Sequence, residues 1–132
     1  MVKARCEVAY VSGSKFKARP TIEHIRIYSE HNPSYMDYSA GSQDMLRTNS
    51  YDAIILDTEG MEDAALQLMR EIIRKEGSVN EKSYVIAVLP KTLKAGHTPL
   101  DYCEAGADMM LLQGKGPQQK LECLEEALLE AI

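Results

Sequence analysis

The sequence predicts a doubly wound α/β fold, a three-layer (βα)5 sandwich in which helices cover both faces of a five-stranded parallel sheet. Three observations predict it. The chain has 132 residues, the size of one domain and enough to bury about two-thirds of the surface that its unfolded form exposes. Its strongest apolar segments, Val8–Val11, Ala53–Leu56, Val85–Leu89 and Met109–Leu112, are continuous rather than alternating, the pattern of strands buried on both faces. Stretches with helical spacing lie between them, so strand and helix alternate five times over, which implies parallel pairing through right-handed crossovers. A single domain is expected over 1–132.

The first strand is Val8–Val11. Thr21–Glu30 predicts the first helix, since Ile22 and Ile25 stand at i and i+3 behind Pro20, a residue suited to a helix's first turn. Tyr35–Tyr38 is expected as the second strand. Gly41–Leu46 predicts a short helix with Ser42 near its N-cap, stopped by the turn-rich Arg47–Ser50. After the third strand, Ala53–Leu56, the segment Met61–Lys75 sets Ala65, Leu68, Met69 and Ile72 at i, i+3, i+4 and i+7. Glu76–Lys82 reads as an exposed loop before the fourth strand, Val85–Leu89. Thr98–Ala105 predicts the fourth helix, with Gly106 as its C-cap. Pro117–Ile132 follows the fifth strand, Met109–Leu112, and lines up Leu121, Leu124, Leu128 and Ile132 on one face.

Composition narrows the function. With 45% hydrophobic and 27% charged residues the chain is of globular type, and 15 Lys and Arg against 20 Asp and Glu leave a net charge of −5. That balance, with no run of five like charges, argues against non-specific binding to nucleic acid or to an anionic membrane by this domain. The uncharged run Ser83–Pro90 is far shorter than the roughly 18–20 apolar residues of a membrane helix, and the opening residues lack a signal-peptide core, so the expected location is the cytoplasm. Cys6, Cys103 and Cys123 are odd in number and widely spaced, which predicts reduced, mostly buried thiols. His24, His31 and His97 lack zinc-site spacing and are expected at the surface. No P-loop, G-x-G-x-x-G or nucleophile elbow is present, so no enzyme motif emerges.

In a doubly wound sheet, ligands gather at the carboxyl ends of the strands, where strand order reverses. That rule selects Ser12, Gly13, Ser14 and Lys15 after the first strand, Asp57, Thr58 and Glu59 after the third, Leu89, Pro90 and Lys91 after the fourth, and Gln113, Gly114 and Lys115 after the fifth.

At these positions a family comes into view. Tyr51–Asp57 (YDAIILD) resembles the segment that ends the third strand of response-regulator receiver domains, the CheY-like superfamily. Gly106-Ala107-Asp108 resembles the turn before their fifth strand, and Tyr35–Leu46 resembles their second strand and helix. The order and spacing of these short motifs, covering nearly the whole chain, carry the resemblance. It implies two-component signal transduction, in which an Asp at the end of the third strand accepts a phosphoryl group from a histidine kinase with the help of Mg²⁺. An acidic pair after the first strand holds the metal, a Ser or Thr after the fourth strand senses the phosphoryl group, and a Lys after the fifth pairs with it.

Carried over position by position, only the phosphoacceptor survives, as Asp57. The acidic pair falls on Ser12 and Gly13, the Ser/Thr on Leu89, and the Lys on Gln113, with Gly114 where a Pro usually follows. Magnesium requires hard oxygen ligands in near-octahedral geometry, and this replacement removes about two of the three charges that would attract it. Phosphoryl transfer rests on positioning and on cancelling charge over the transferring oxygens, and Leu89 offers no donor. Lys115, two residues beyond the expected Lys, and Ser14 are candidate phosphate or anion contacts. Glu7, Glu59, Glu62 and Asp63 are candidate substitutes as metal ligands, although Glu62 and Asp63 are explained as acids in a helix's first turn.

The expectation is therefore an atypical receiver, or pseudo-receiver, with a degenerate phosphorylation site, no catalytic residue, no resident cofactor and no metal. Its work would be protein–protein interaction through the face made by Thr98–Ala105, Met109–Leu112 and Pro117–Ile132, the family's usual docking surface, where Met109 and Met110 are adaptable side chains. Pairing with a second copy as a homodimer stays open. Two alternatives stand beside it: a working phosphoacceptor at Asp57, with Mg²⁺ as its cofactor, and a flavodoxin-like protein that cradles the FMN phosphate in Ser12-Gly13-Ser14-Lys15.

Overall fold

A computed structural model describes residues 5–93, 96–112 and 116–130. Its elements run β1 (Glu7–Val11), α1 (Lys15–Tyr28), β2 (Asn32–Met36), α2 (Ala40–Thr48), β3 (Ala53–Asp57), α3 (Glu62–Leu68) continued by a π-helical turn (Met69–Ile73), β4 (Tyr84–Leu89), α4 (Pro99–Ala105), β5 (Met109–Leu112) and α5 (Pro117–Glu130). The five strands form one parallel sheet in the order β2-β1-β3-β4-β5. This is the doubly wound α/β sandwich that the alternation predicts, with its switch point between β1 and β3.

Alternation along each strand builds two apolar layers. Ala9, Val11, Ile54, Leu56, Val85, Ala87 and Leu89 face the side covered by α2, α3 and α4, where Leu46, Leu66, Met69, Ile73 and Tyr102 meet them. Val8, Tyr10, Ala53, Ile55, Ile86 and Val88 face α1 and α5, against Ala18, Ile22, Ile25, Leu121, Leu124 and Leu128. Because β1, β3 and β4 are covered on both faces, they need apolar residues at every position, which is why their runs are continuous.

Several boundaries differ from the sequence expectation. Helix α1 begins at Lys15, not Thr21, because the Ser14 side chain caps it by accepting from Lys17 N at 3.3 Å. Pro20 consequently lies inside the helix and removes a backbone donor there. Strand β2 is Asn32–Met36 rather than Tyr35–Tyr38: Asn32 N donates to Cys6 O at 2.8 Å and sets the register Glu7↔Asn32. As an edge strand it is only partly covered, so it lacks the apolar run that marks the central strands. The N-cap of α2 is Ser39, whose side chain accepts from Ser42 N at 3.4 Å, so Ser42 lies near the cap, as the third residue of the helix, and the helix begins at Ala40. Ile132 lies outside the described residues.

Three burial expectations are corrected. Cys6 is buried, but Cys123 is only half-buried and Cys103 is exposed. His31 is buried, not superficial: its Nδ1 accepts from Cys6 N at 3.2 Å, and its Nε2 lies 3.3 Å from Glu125 Oε2 on α5. Nδ1 as acceptor places the ring proton on Nε2, facing the carboxylate. The loop expected to be exposed, Glu76–Lys82, contains the fully buried Asn80.

Candidate functional site

The switch point opens a crevice between the ends of β1 and β3, where Ser12 and Asp57 emerge side by side. Their neighbours fix what the crevice can do. Ser12 is buried, its N–H donating to Met36 O at 3.0 Å and its hydroxyl closing a tight loop with the Ser14 backbone at 3.2 Å. The Ser14 oxygen is engaged as the α1 cap. Both hydroxyls of the candidate anion cradle thus hold their own loop together. A Cβ built on Gly13 would lie 2.9 Å from Met61 Cγ and 3.4 Å from its Sδ, so a thioether packs where the second acid of a metal-binding pair would begin.

Asp57 ends β3 half-buried, its Oδ1 accepting from Glu59 N at 3.3 Å. Burial pushes its carboxyl above the usual range, against the Glu59 N–H and the charges of Lys120 and Lys17, which pull it down. Thr58 is fully buried, its hydroxyl donating to Val88 O at 2.9 Å. Leu89 is buried in the layer beneath α2, α3 and α4, so the position of the expected Ser/Thr has neither a donor nor access to the crevice. Gln113, Gly114 and Lys115 lie outside the described residues.

Tyrosines that sequence reasoning overlooked finish the crevice. The Tyr35 hydroxyl donates to Ser12 O at 3.0 Å, and the Tyr38 hydroxyl donates to Asp57 O at 2.8 Å. Two strand-end carbonyls, oxygens of the kind a hard cation would seek, are therefore already engaged. The Tyr10 phenol, fully buried in β1, accepts from Lys120 Nζ at 3.2 Å. Signals for two of these were present: Tyr10 is the one phenol inside a continuous apolar run, and Lys120 is the one basic residue of Pro117–Glu130.

Among the candidate substitute acids, Glu7 sits at the start of β1, away from the crevice, accepting from Asn32 Nδ2 at 2.8 Å. Glu62 accepts from Gly60 N at 2.7 Å in the first turn of α3. Asp63 lies 3.0 Å from His97 Nε2 and ties the β4–α4 loop to α3, and Glu59 pairs with Lys17 at 3.8 Å. No group of three or more His, Cys, Asp or Glu among the described residues converges as a metal site.

The other candidate surface lies at the opposite sheet edge. On α4 and β5, Leu100 is 62% exposed, Met110 38% and Leu112 61%. Met109 and Leu111 instead turn inward and pack on the α1–α5 layer. Among the described residues no helix is long and apolar enough to cross a membrane.

Compared by sequence, the chain matches no family model and no curated relative. Compared by structure, it resembles receiver domains throughout. The chemotaxis response regulator CheY4 of Vibrio cholerae superposes with a TM-score of 0.78 at 11% identity, covering 93% of this chain and 98% of that one. The beryllofluoride-activated NtrC4 receiver domain dimer gives 0.76 at 15% identity, covering 96% and 98%. The receiver domain of a Pseudomonas aeruginosa sensor histidine kinase, with a magnesium ion coordinated in its active-site cleft, gives 0.73 at 17% identity, covering 95% and 98%. With the strand order and the switch-point Asp already in place, these likenesses settle the architecture: the chain has the fold of a response-regulator receiver domain.

Proposed function

We propose that this chain is a receiver-like signalling module whose Asp57 crevice no longer performs metal-dependent phosphoryl transfer, and whose work is to bind a protein partner. The observation that carries the reading is that Met61 packs where a Cβ on Gly13 would lie. A receiver such as the P. aeruginosa domain holds magnesium in its active-site cleft; here an apolar side chain fills the place of an acid, and the Tyr38 hydroxyl donates to the backbone carbonyl of Asp57 itself. Without an acidic pair to hold a metal, the charge that would build on a transferring phosphoryl group lacks the divalent cation that transfer depends on.

The partner face in this reading is α4–β5–α5. Leu100, Met110 and Leu112 leave apolar side chains exposed on α4 and at the β5 edge of the sheet, surface of the kind that protein contacts bury.

Acetyl phosphate with Mg²⁺ tests the first half. Intact-mass spectra should show no phosphoryl adduct; an adduct that Asp57→Asn abolishes would make Asp57 a working phosphoacceptor and overturn the reading. For the second half, proteins captured from the source cells by the native chain should be lost with a Met110→Asp/Leu112→Asp variant. Capture of no partner, or capture indifferent to the substitutions, defeats the α4–β5–α5 assignment. Flavin fluorescence in the purified protein would instead favour FMN.

A further inference from the structure

The crevice contains a cation that the sequence pattern of receivers does not place there. Lys120 lies in the first part of α5, where its i+3 and i+4 neighbours are Cys123 and Leu124 and no acid is within reach along the helix. A lysine so placed ordinarily extends its ammonium into water. This one is half-buried instead, with Nζ 3.2 Å from the Tyr10 hydroxyl and 5.8 Å from the centroid of its ring. Burial holds the Tyr10 phenol far above its ordinary range, so it meets Lys120 as a neutral oxygen and supplies a seat, not a countercharge.

The acid whose charge acts on Lys120 is Asp57. Tyr10 pairs with Ile55 across β1 and β3, and Asp57 follows Ile55 by two, so Tyr10 and Asp57 project from the same face of the sheet. That is the face covered by α1 and α5. Burial lowers the Lys120 ammonium and the Asp57 charge raises it again, while Lys120 reciprocally draws Asp57 down. The other charged groups facing Asp57 are Lys17 on α1 and Glu59 after β3. These pair with each other at 3.8 Å on the surface and largely cancel. Tyr38, between β2 and α2, donates its hydroxyl to the Asp57 backbone carbonyl and is held neutral by burial and by the Asp57 charge.

We infer that Lys120, seated on Tyr10, is the resident counter-ion of Asp57, so that the crevice is charge-balanced from within and keeps one arrangement without metal or phosphoryl group. The assignment deepens the proposed function and rests on its reading of a metal-free Asp57. It makes Lys120 a positioning residue: its ammonium occupies, permanently, the electrostatic role that a transient cation would fill.

The test is the titration of Asp57, followed through its carboxyl carbon by NMR in buffer without Mg²⁺ or acetyl phosphate. Lys120→Met keeps the apolar stem and removes the charge. It should raise the proton affinity of Asp57 by about threefold or more, while Lys120→Arg leaves it near the native value. Coupling is mutual, so Asp57→Asn should lower the midpoint of the Lys120 ammonium by a similar factor. This second measurement stands even if the Met variant fails to fold. An Asp57 midpoint unmoved in folded Lys120→Met, a Lys120 midpoint unmoved in Asp57→Asn, or a shift produced by Lys115→Met instead would each overturn the assignment. Phosphorylation of the native protein would defeat the metal-free reading without touching these titrations, so the two failures are distinguishable.

Discussion

Arg74 Nη2 donates to Asp108 Oδ2 at 2.7 Å, and through this pair the end of the third helical segment is fastened to the turn before β5. The same carboxylate oxygen accepts from Val85 N at 2.9 Å, and Arg74 also reaches Gly106 O through Nε at 3.0 Å and Nη2 at 2.9 Å. Gly106 has φ +121°, and a Cβ there would collide with the Arg74 side chain at Cγ. The Gly-Ala-Asp sequence is thus an anchor at the amino ends of β4 and β5, on the side of the sheet away from Asp57.

Gly106→Ala is accordingly expected to destabilise on two counts, a strained φ and displacement of a side chain that makes several hydrogen bonds. The cost should be about 2–4 kcal/mol, read by urea unfolding. Loss of less than about 0.5 kcal/mol, the level of an ordinary surface substitution, would show that Arg74 is free to move aside.

Asn80 makes the next prediction. Its Nδ2 donates to Leu46 O at 2.6 Å and Asn49 O at 2.9 Å, while its Oδ1 accepts from Tyr51 N at 2.8 Å and Ser83 Oγ at 2.9 Å. One fully buried amide therefore joins the end of α2, the entry to β3 and the entry to β4. Asn80→Ala leaves those groups without partners away from water and should cost about 2–4 kcal/mol by denaturant unfolding. A variant as stable as the parent would mean that water replaces the amide.

These two residues show what was legible in the sequence and what was not. The central strands announce themselves because a sheet covered on both faces demands apolar residues without interruption, and Val8–Val11, Ala53–Leu56 and Val85–Leu89 obey. The edge strand β2 has no such demand, so Asn32–Met36 is invisible to periodicity, and Tyr35 near its end and Tyr38 beyond it draw the eye. Asn80 sits in Glu76–Lys82, a stretch whose polarity signals exposure. Its burial follows from backbone groups that only the folded chain brings together. At the site, Asp57, Ser12, Gly13 and Leu89 were found by position along the chain. Met61, Tyr38 and Lys120 were not, because each reaches the crevice from an element whose own pattern fully explains it.

Restoring the missing acids is a direct test of the crevice. Ser12→Asp/Gly13→Asp supplies two carboxylates beside Asp57, but the new side chain at 13 must push Met61 aside from a 2.9 Å approach. The double variant should be less stable than the parent by about 1–3 kcal/mol in the absence of metal, from crowding and like-charge repulsion. Added Mg²⁺ should recover part of that loss and raise the melting temperature, whereas the native chain should show no Mg²⁺-dependent shift. An equal response in both proteins would mean that the native crevice already binds the ion.

The pH dependence of stability carries the last prediction. Burial raises the Asp57 carboxyl in the folded chain above its ordinary value of 3.8, which it retains when unfolded. The folded state therefore holds this proton more tightly, and the ionised carboxylate opposes folding. The penalty is complete at pH values above the folded midpoint, shrinks as pH falls through it, and is absent below the unfolded value. Asp57→Asn removes it, so the variant should melt a few degrees higher than the parent at pH 7, with the difference closing toward pH 4. Lys120→Met should widen the gap between the Asp and Asn forms at pH 7, because the carboxylate then loses the charge that offsets its burial. Parent and Asn variant melting together across the whole range would show that Lys120 and the Glu59 N–H offset the whole cost of burying the Asp57 charge.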